Sequence, residues 1–130
     1  MKSQSLISSF NPANDPNTLD SYERAEIDAS TRVPVLLFFG SAIFWLLIGS
    51  LLGLVAAWKM THPALLDGMA WTTFGRIRPA HLNTVIYGWA SAAGIGVGIW
   101  LMARLCRVAL VHSKLLIAAA IFWNLGVVVG

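Results

Sequence analysis

The chain contains three long stretches of residues without a charged side chain. They cover residues 33–58, 82–103 and 115–130, and they contain 26, 22 and 16 residues. About 20 apolar residues in a helix are enough to cross a bilayer. The pattern therefore predicts an all-α membrane protein with three transmembrane helices, at about 33–58, 80–103 and 115–130, of which the third is incomplete.

The composition supports this interpretation. Of the 130 residues, 57% are apolar and only 12% are charged, and the mean hydropathy is +0.69. Soluble globular domains have about twice that charged fraction. Residues 1–32 differ from the rest, because they contain the turn-rich stretch NPANDPN and five of the six acidic residues. Those five are Asp15, Asp20, Glu23, Glu26 and Asp28. We expect a polar segment over 1–32, with a short surface helix near 19–29, before a membrane part over 33–130.

The basic residues predict an orientation. Six of them lie on the side of the predicted helices that carries the amino terminus, and three lie on the opposite side. The six are Lys2, Arg24, Arg32, Arg104, Arg107 and Lys114, and the three are Lys59, Arg76 and Arg78. Cytoplasmic flanks of membrane proteins carry an excess of Lys and Arg. The distribution therefore predicts a cytoplasmic amino terminus.

The sequence GRIRPAHLN, residues 75–83, is the most specific chemical feature. Pro79 is typical of the first residue of a helix, so we expect a helix to begin there with His81 in its first turn. The free N–H groups and the dipole at a helix start attract anions, and Arg76 and Arg78 add positive charge. Heme suits this arrangement. Its propionates, at one edge, would lie near the arginines and the helix start, and its iron, deeper in the membrane, accepts an imidazole such as that of His81.

The residues that follow His81 permit two interpretations. Positions three, seven and eleven further on hold Thr84, Gly88 and Ala92, whose small side chains leave room for a flat macrocycle. Small residues in membrane helices also form packing seams, as the glycines of GIGVG (94–98) do, and arginine and histidine at a helix end are ordinary interfacial residues. The pattern alone leaves open both a heme site and a membrane packing or assembly protein without a cofactor.

A family resemblance favours the heme site. The sequence FGRIRPAHLNTVIYGW, residues 74–89, resembles the second transmembrane helix of the catalytic subunit I of heme-copper terminal oxidases, most closely the C-family, cbb-type cytochrome c oxidases. In that family an Arg-Pro-x-His sequence opens the helix, the histidine ligates low-spin heme b and the arginine contacts a propionate. The resemblance covers residues 33–130 and implies that His81 binds the heme iron, Arg78 a propionate and Arg76, more weakly, the same edge.

The resemblance also implies a function and partners. The chain would be the heme-binding amino-terminal portion of a cytochrome c oxidase subunit in the bacterial inner membrane, active in aerobic respiration. The high-spin heme, the copper and all catalytic residues are expected only in the rest of the subunit. Expected partners are that remainder or other oxidase subunits, a c-type cytochrome as electron donor and the lipid bilayer, with no nucleic acid. A nitric oxide reductase-like fragment is an alternative, because those enzymes have a similar helix.

Overall fold

Three helices account for most of the molecule. The computed structural model describes residues 16–130, and side chains from residue 20 onward, so the first fifteen residues of the predicted polar segment lie outside the described part. Helix α1 is Pro16–Thr61, α2 is Phe74–Cys106 and α3 is Ser113–Val129. By length and hydropathy α1 and α2 can each cross a membrane, and α3 is a shorter apolar helix. The predicted all-helical architecture is confirmed for the described residues.

Helix α1 is longer than its uncharged run. The sequence predicts a separate short helix near 19–29, but α1 continues without a break from residue 16 through Pro34 to Thr61. Ile27, Thr31 and Pro34 are buried on one face of this extension. The Thr31 hydroxyl donates to the Ile27 carbonyl at 3.1 Å. Polar residues before the membrane run are therefore helical because that face packs against the rest of the molecule.

Polar contacts fix this extension to the far end of α2. Arg104 donates from Nε and Nη2 to the two oxygens of Asp28, at 2.8 and 2.6 Å. Asp28 precedes the uncharged run, and these hydrogen bonds hold the pKa of its carboxyl below the ordinary value. The Arg104 guanidinium also lies 5.5 Å from the ring centroid of Trp100. The backbone N–H of Leu110 donates to the Ser30 hydroxyl at 3.0 Å.

Helix α1 is the centre of the fold, because it packs against both α2 and α3. The core combines one large side chain, Phe38, with three alanines, one from each helix. Those alanines are Ala42, Ala92 and Ala120. A polar contact reinforces the packing, since the indole N–H of Trp45 donates to the side-chain oxygen of Asn124 on α3 at 2.7 Å. Small residues at helix contacts allow the close approach that stabilises helices in membranes.

Helix α2 is not uniform along its length. An α-helical part, Phe74–Asn83, is followed by a wider π-helical part, Thr84–Ser91, and then by a second α-helical part, Ala92–Cys106. Short π-helical segments occur frequently at functional sites. In this chain the π-helical part begins three residues after His81.

Candidate functional site

His81 faces α1 rather than solvent. It is half-buried, and its Nδ1 lies 2.7 Å from the carbonyl oxygen of Gly49. A carbonyl oxygen can only accept, so Nδ1 carries the proton and donates it. In a neutral imidazole this hydrogen bond selects the tautomer with the proton on Nδ1, in which Nε2 has the lone pair that binds a metal.

A notch of two glycines on α1 makes room for the ring. A Cβ atom on Gly53 would lie 2.7 Å from Cε1 and 2.9 Å from Nδ1 of His81, which is closer than any tolerated contact. Gly49, one turn earlier, supplies the acceptor carbonyl. Sequence reasoning missed this notch, although its signal was present in GSLLG, residues 49–53, where two glycines are spaced four apart as at close helix contacts.

The second ring nitrogen of His81 is available. Nε2 has no hydrogen-bond partner among the described residues. Every fully buried side-chain nitrogen or oxygen among those residues has such a partner. Nε2 is therefore not fully enclosed by the three helices. A neutral imidazole with one nitrogen held by a carbonyl and the other accessible is the donor that heme iron requires, so the residues present fit that group. Among residues 16–130 there is no cluster of three metal-binding side chains.

The start of α2 differs from the expectation. The helix begins at Phe74 and Pro79 lies within it, so the prediction that Pro79 begins the helix, with His81 in its first turn, is wrong. The Thr73 carbonyl already accepts the N–H groups of Arg76 and Ile77, at 2.9 and 3.0 Å. The side chain of Ile77 is buried and orders the turn before Pro79.

The two arginines of the motif occupy different sides of α2. Both are exposed, and neither forms an ion pair within the described part of the chain. With 3.6 residues per turn, Arg78 lies about 60° around the helix axis from His81, and Arg76 lies about 140° around it. The helix therefore places Arg78 on the His81 side, one turn closer to the helix start, and Arg76 on a different side.

The stripe of small residues does not form a surface for a macrocycle. Thr84 and Ala92 are buried, and a Cβ on Gly88 would lie 2.6 Å from the Cβ of Trp45. Helix α1 occupies this face, so the prediction that a flat ring could lie against Thr84, Gly88 and Ala92 is wrong. The small side chains instead allow α1 to approach closely enough for the Gly49 carbonyl to reach His81.

Comparisons with known proteins agree with the motif. The family model described as Cytochrome C and Quinol oxidase polypeptide I matches residues 33–130. A cytochrome c oxidase subunit 1 homolog from bacteroids of Bradyrhizobium diazoefficiens is 36% identical over 69 residues, which are 53% of this chain and 13% of that protein. The Cbb3-type cytochrome c oxidase subunit CcoN1 of Stutzerimonas stutzeri is 34% identical over 82 residues, which are 63% of this chain and 17% of that protein.

A third relative extends the comparison. The cytochrome c oxidase subunit 1 homolog of Azorhizobium caulinodans is 30% identical over 89 residues, which are 68% of this chain and 15% of that protein. The chain thus spans 13 to 17% of the length of these relatives. No solved structure matches it. The family model covers most of the chain, including the whole motif from Phe74 to Trp89, so the resemblance is confirmed. The chain belongs to the Cytochrome C and Quinol oxidase polypeptide I family.

Proposed function

We propose that this chain supplies one axial ligand, His81, to a low-spin heme b within subunit I of a cytochrome c oxidase. The observation that carries the proposal is the hydrogen bond from Nδ1 to the Gly49 carbonyl, 2.7 Å long, which leaves Nε2 accessible. The names of the relatives point to the same complex, since each is described as a cytochrome c oxidase subunit or its homolog.

The residues around His81 have distinct roles in this proposal. Gly49 orients the imidazole, and Gly53 provides the space into which the ring fits. Arg78 holds the acidic edge of the macrocycle from the His81 side of α2, and Arg76 adds positive charge from a different side of the same helix. Positive charge near a redox group stabilises its reduced form, so both arginines raise the reduction potential.

A heme held by His81 would supply electron transfer between a c-type cytochrome and a heme-copper centre that reduces oxygen. We place the second axial ligand, the high-spin heme and the copper in the remainder of the subunit. The location proposed is the bacterial inner membrane, with the amino terminus in the cytoplasm. Six basic residues near that side against three near the other support this orientation.

The test is the low-spin absorption of the purified oxidase complex that contains this chain. His81→Ala should remove the low-spin b-type band, because the other two histidines, His62 and His112, lie outside α2, one before its start and one beyond its end. His112→Ala is the matched control, since His112 lies beyond the other end of α2 and should leave the band intact. An unchanged band in His81→Ala, with the chain still inserted in the membrane, would favour a packing or assembly protein without a cofactor.

A further inference from the structure

Lys59, in the last turn of α1, is a buried cation. Its side chain is only 4% exposed, whereas Arg76 and Arg78 at the same end of the molecule are exposed. Its ammonium donates to the Leu65 carbonyl and lies 3.6 Å from a carboxylate oxygen of Asp67. Burial of a charge is costly unless the charge is paired and hydrogen-bonded. Both partners of Lys59 lie in the connection between α1 and α2.

Thr72 holds the same connection from the other end. It is 2% exposed, and its hydroxyl oxygen lies 2.6 Å from the Leu66 carbonyl and 2.7 Å from the Met69 carbonyl. The carbonyls of Leu65 and Leu66 belong to neighbouring peptide groups. Lys59, in the last turn of α1, and Thr72, two residues before α2, therefore bind adjacent peptide groups of one loop.

The backbone of the loop depends on these contacts. Leu66 has a φ of 59°, in the left-handed region that side chains other than glycine rarely adopt. Such a conformation persists only where the surroundings determine it. Thr72 is followed two residues later by Phe74, the first residue of α2, and Arg78 lies one turn further on. A change in the loop therefore shifts the start of the helix that carries Arg78.

We propose that Lys59 is a positioning residue for the heme site, which fixes the connection of residues 62–73 so that Arg78 is held at the propionate edge. This inference rests on the proposed function of His81. It assigns to Lys59 an effect on the heme through Arg78, and not a direct contact with the heme.

A double-mutant cycle in the intact oxidase complex separates this role from a simple effect of charge. The variants are Lys59→Met, Arg78→Gln and the pair, and the measurement is the midpoint potential of the low-spin heme from redox titration of its absorption band. Arg78→Gln should lower the potential, because a positive charge is lost. Lys59→Met should lower the potential by a comparable amount. The potential of the double variant should be no lower than that of Arg78→Gln alone.

The other outcomes overturn the inference. Additive shifts would mean that the charge of Lys59 acts on the heme independently of Arg78. An unchanged midpoint potential in Lys59→Met would mean that the loop does not position any group that affects the heme. An unchanged potential in Arg78→Gln would mean that Arg78 is not such a group. Loss of the band in His81→Ala, together with additive shifts, would leave the proposed function intact and remove only this inference. If the band does not depend on His81, the proposed function itself fails.

A second pair of variants keeps the test informative if Lys59→Met does not assemble. Thr72→Val cuts the other attachment of the loop without changing any charge, so it should lower the potential in the wild-type background and not in the Arg78→Gln background. Lys59→Arg retains the positive charge and a donor, and it should recover most of the wild-type potential. A Thr72→Val potential equal to that of the wild type contradicts the inference.

Discussion

At the scale of single residues, the orientation of the His81 ring depends on a backbone carbonyl that sequence reasoning did not identify. The motif GRIRPAHLN and the family resemblance together point to His81 and Arg78 from the sequence alone. The acceptor for Nδ1 is the carbonyl of Gly49, 32 residues away on another helix. Every residue has a carbonyl, so the glycine pair in GSLLG indicates where another helix can approach α1 but not which carbonyl accepts the hydrogen bond. Helix packing alone selects it.

The glycine notch can be tested with a single methyl group. Gly53→Ala would place a Cβ 2.7 Å from His81 Cε1, so the imidazole must rotate or the helices must separate. We expect a weakened or altered low-spin band and a loss of stability of about 1 to 3 kcal/mol, which is typical of overpacking. Absorption spectra and the thermal midpoint of the purified complex measure the two effects.

Gly40→Ala is the matched control for Gly53→Ala. It lies on the same helix, and a Cβ there meets nothing within 4 Å among the described residues. Because alanine favours helix over glycine, this variant should be neutral or slightly stabilising. Equal behaviour of the two variants would mean that the notch does not hold the ring.

At the scale of helices, the uncharged runs predicted the number of helices but not their ends. Helix α1 extends beyond its run because Asp28 is bound by Arg104 from the end of α2. Helix α2 begins before Pro79 because Thr73 accepts two backbone hydrogen bonds and Ile77 is buried. The first is a contact between segments distant in sequence, and the second includes local hydrogen bonds at a helix start. A hydropathy profile predicts neither kind of contact.

The contact between α1 and α3 has one polar bond that can be removed selectively. Trp45→Phe keeps an aromatic ring beside Gly88 but deletes the N–H that donates to Asn124. Hydrogen bonds between membrane helices contribute about 0.6 kcal/mol on average and up to about 1.7 kcal/mol. We expect a loss of stability in this range for the purified complex in detergent. In an Asn124→Leu background, where the hydrogen bond is already absent, Trp45→Phe should reduce stability by less than it does in the wild-type background.

Trp58→Phe provides the comparison for Trp45→Phe. Trp58 is also on α1, but its side chain is 55% exposed. We expect a change in stability of less than about 0.5 kcal/mol for this variant, as for most exposed positions. If Trp58→Phe costs as much as Trp45→Phe, the loss comes from the smaller ring and not from the hydrogen bond.

At the scale of the whole molecule, the three helices leave much of their apolar surface uncovered. Large side chains on every helix are more than half exposed, as Leu47, Met102 and Phe122 illustrate. Such a surface suits contact with lipid or with further helices. The relatives are six to eight times longer than the matched regions. Sequence hydropathy predicted the apolar character of this surface, but it does not distinguish the two environments.

The proposed orientation can be tested with the single cysteine of the chain. Cys106 is exposed at the end of α2, on the side of the molecule that carries Asp28 and the start of α1. If the amino terminus is cytoplasmic, a membrane-impermeant thiol reagent should not label Cys106 in intact spheroplasts and should label it after permeabilisation. A mobility shift of the tagged chain on a gel reports the labelling.

The opposite side needs its own probe in the same experiment. Gly68 lies in the connection between α1 and α2, is exposed, and has nothing within 4 Å of a Cβ built on it. Gly68→Cys in a Cys106→Ser background should therefore be labelled in intact spheroplasts. Because the two probes lie at opposite ends of α2, a correct orientation gives opposite results for them. Labelling of Cys106 but not of the cysteine at position 68 before permeabilisation would reverse the orientation and place Arg78 and the proposed propionate edge on the cytoplasmic side.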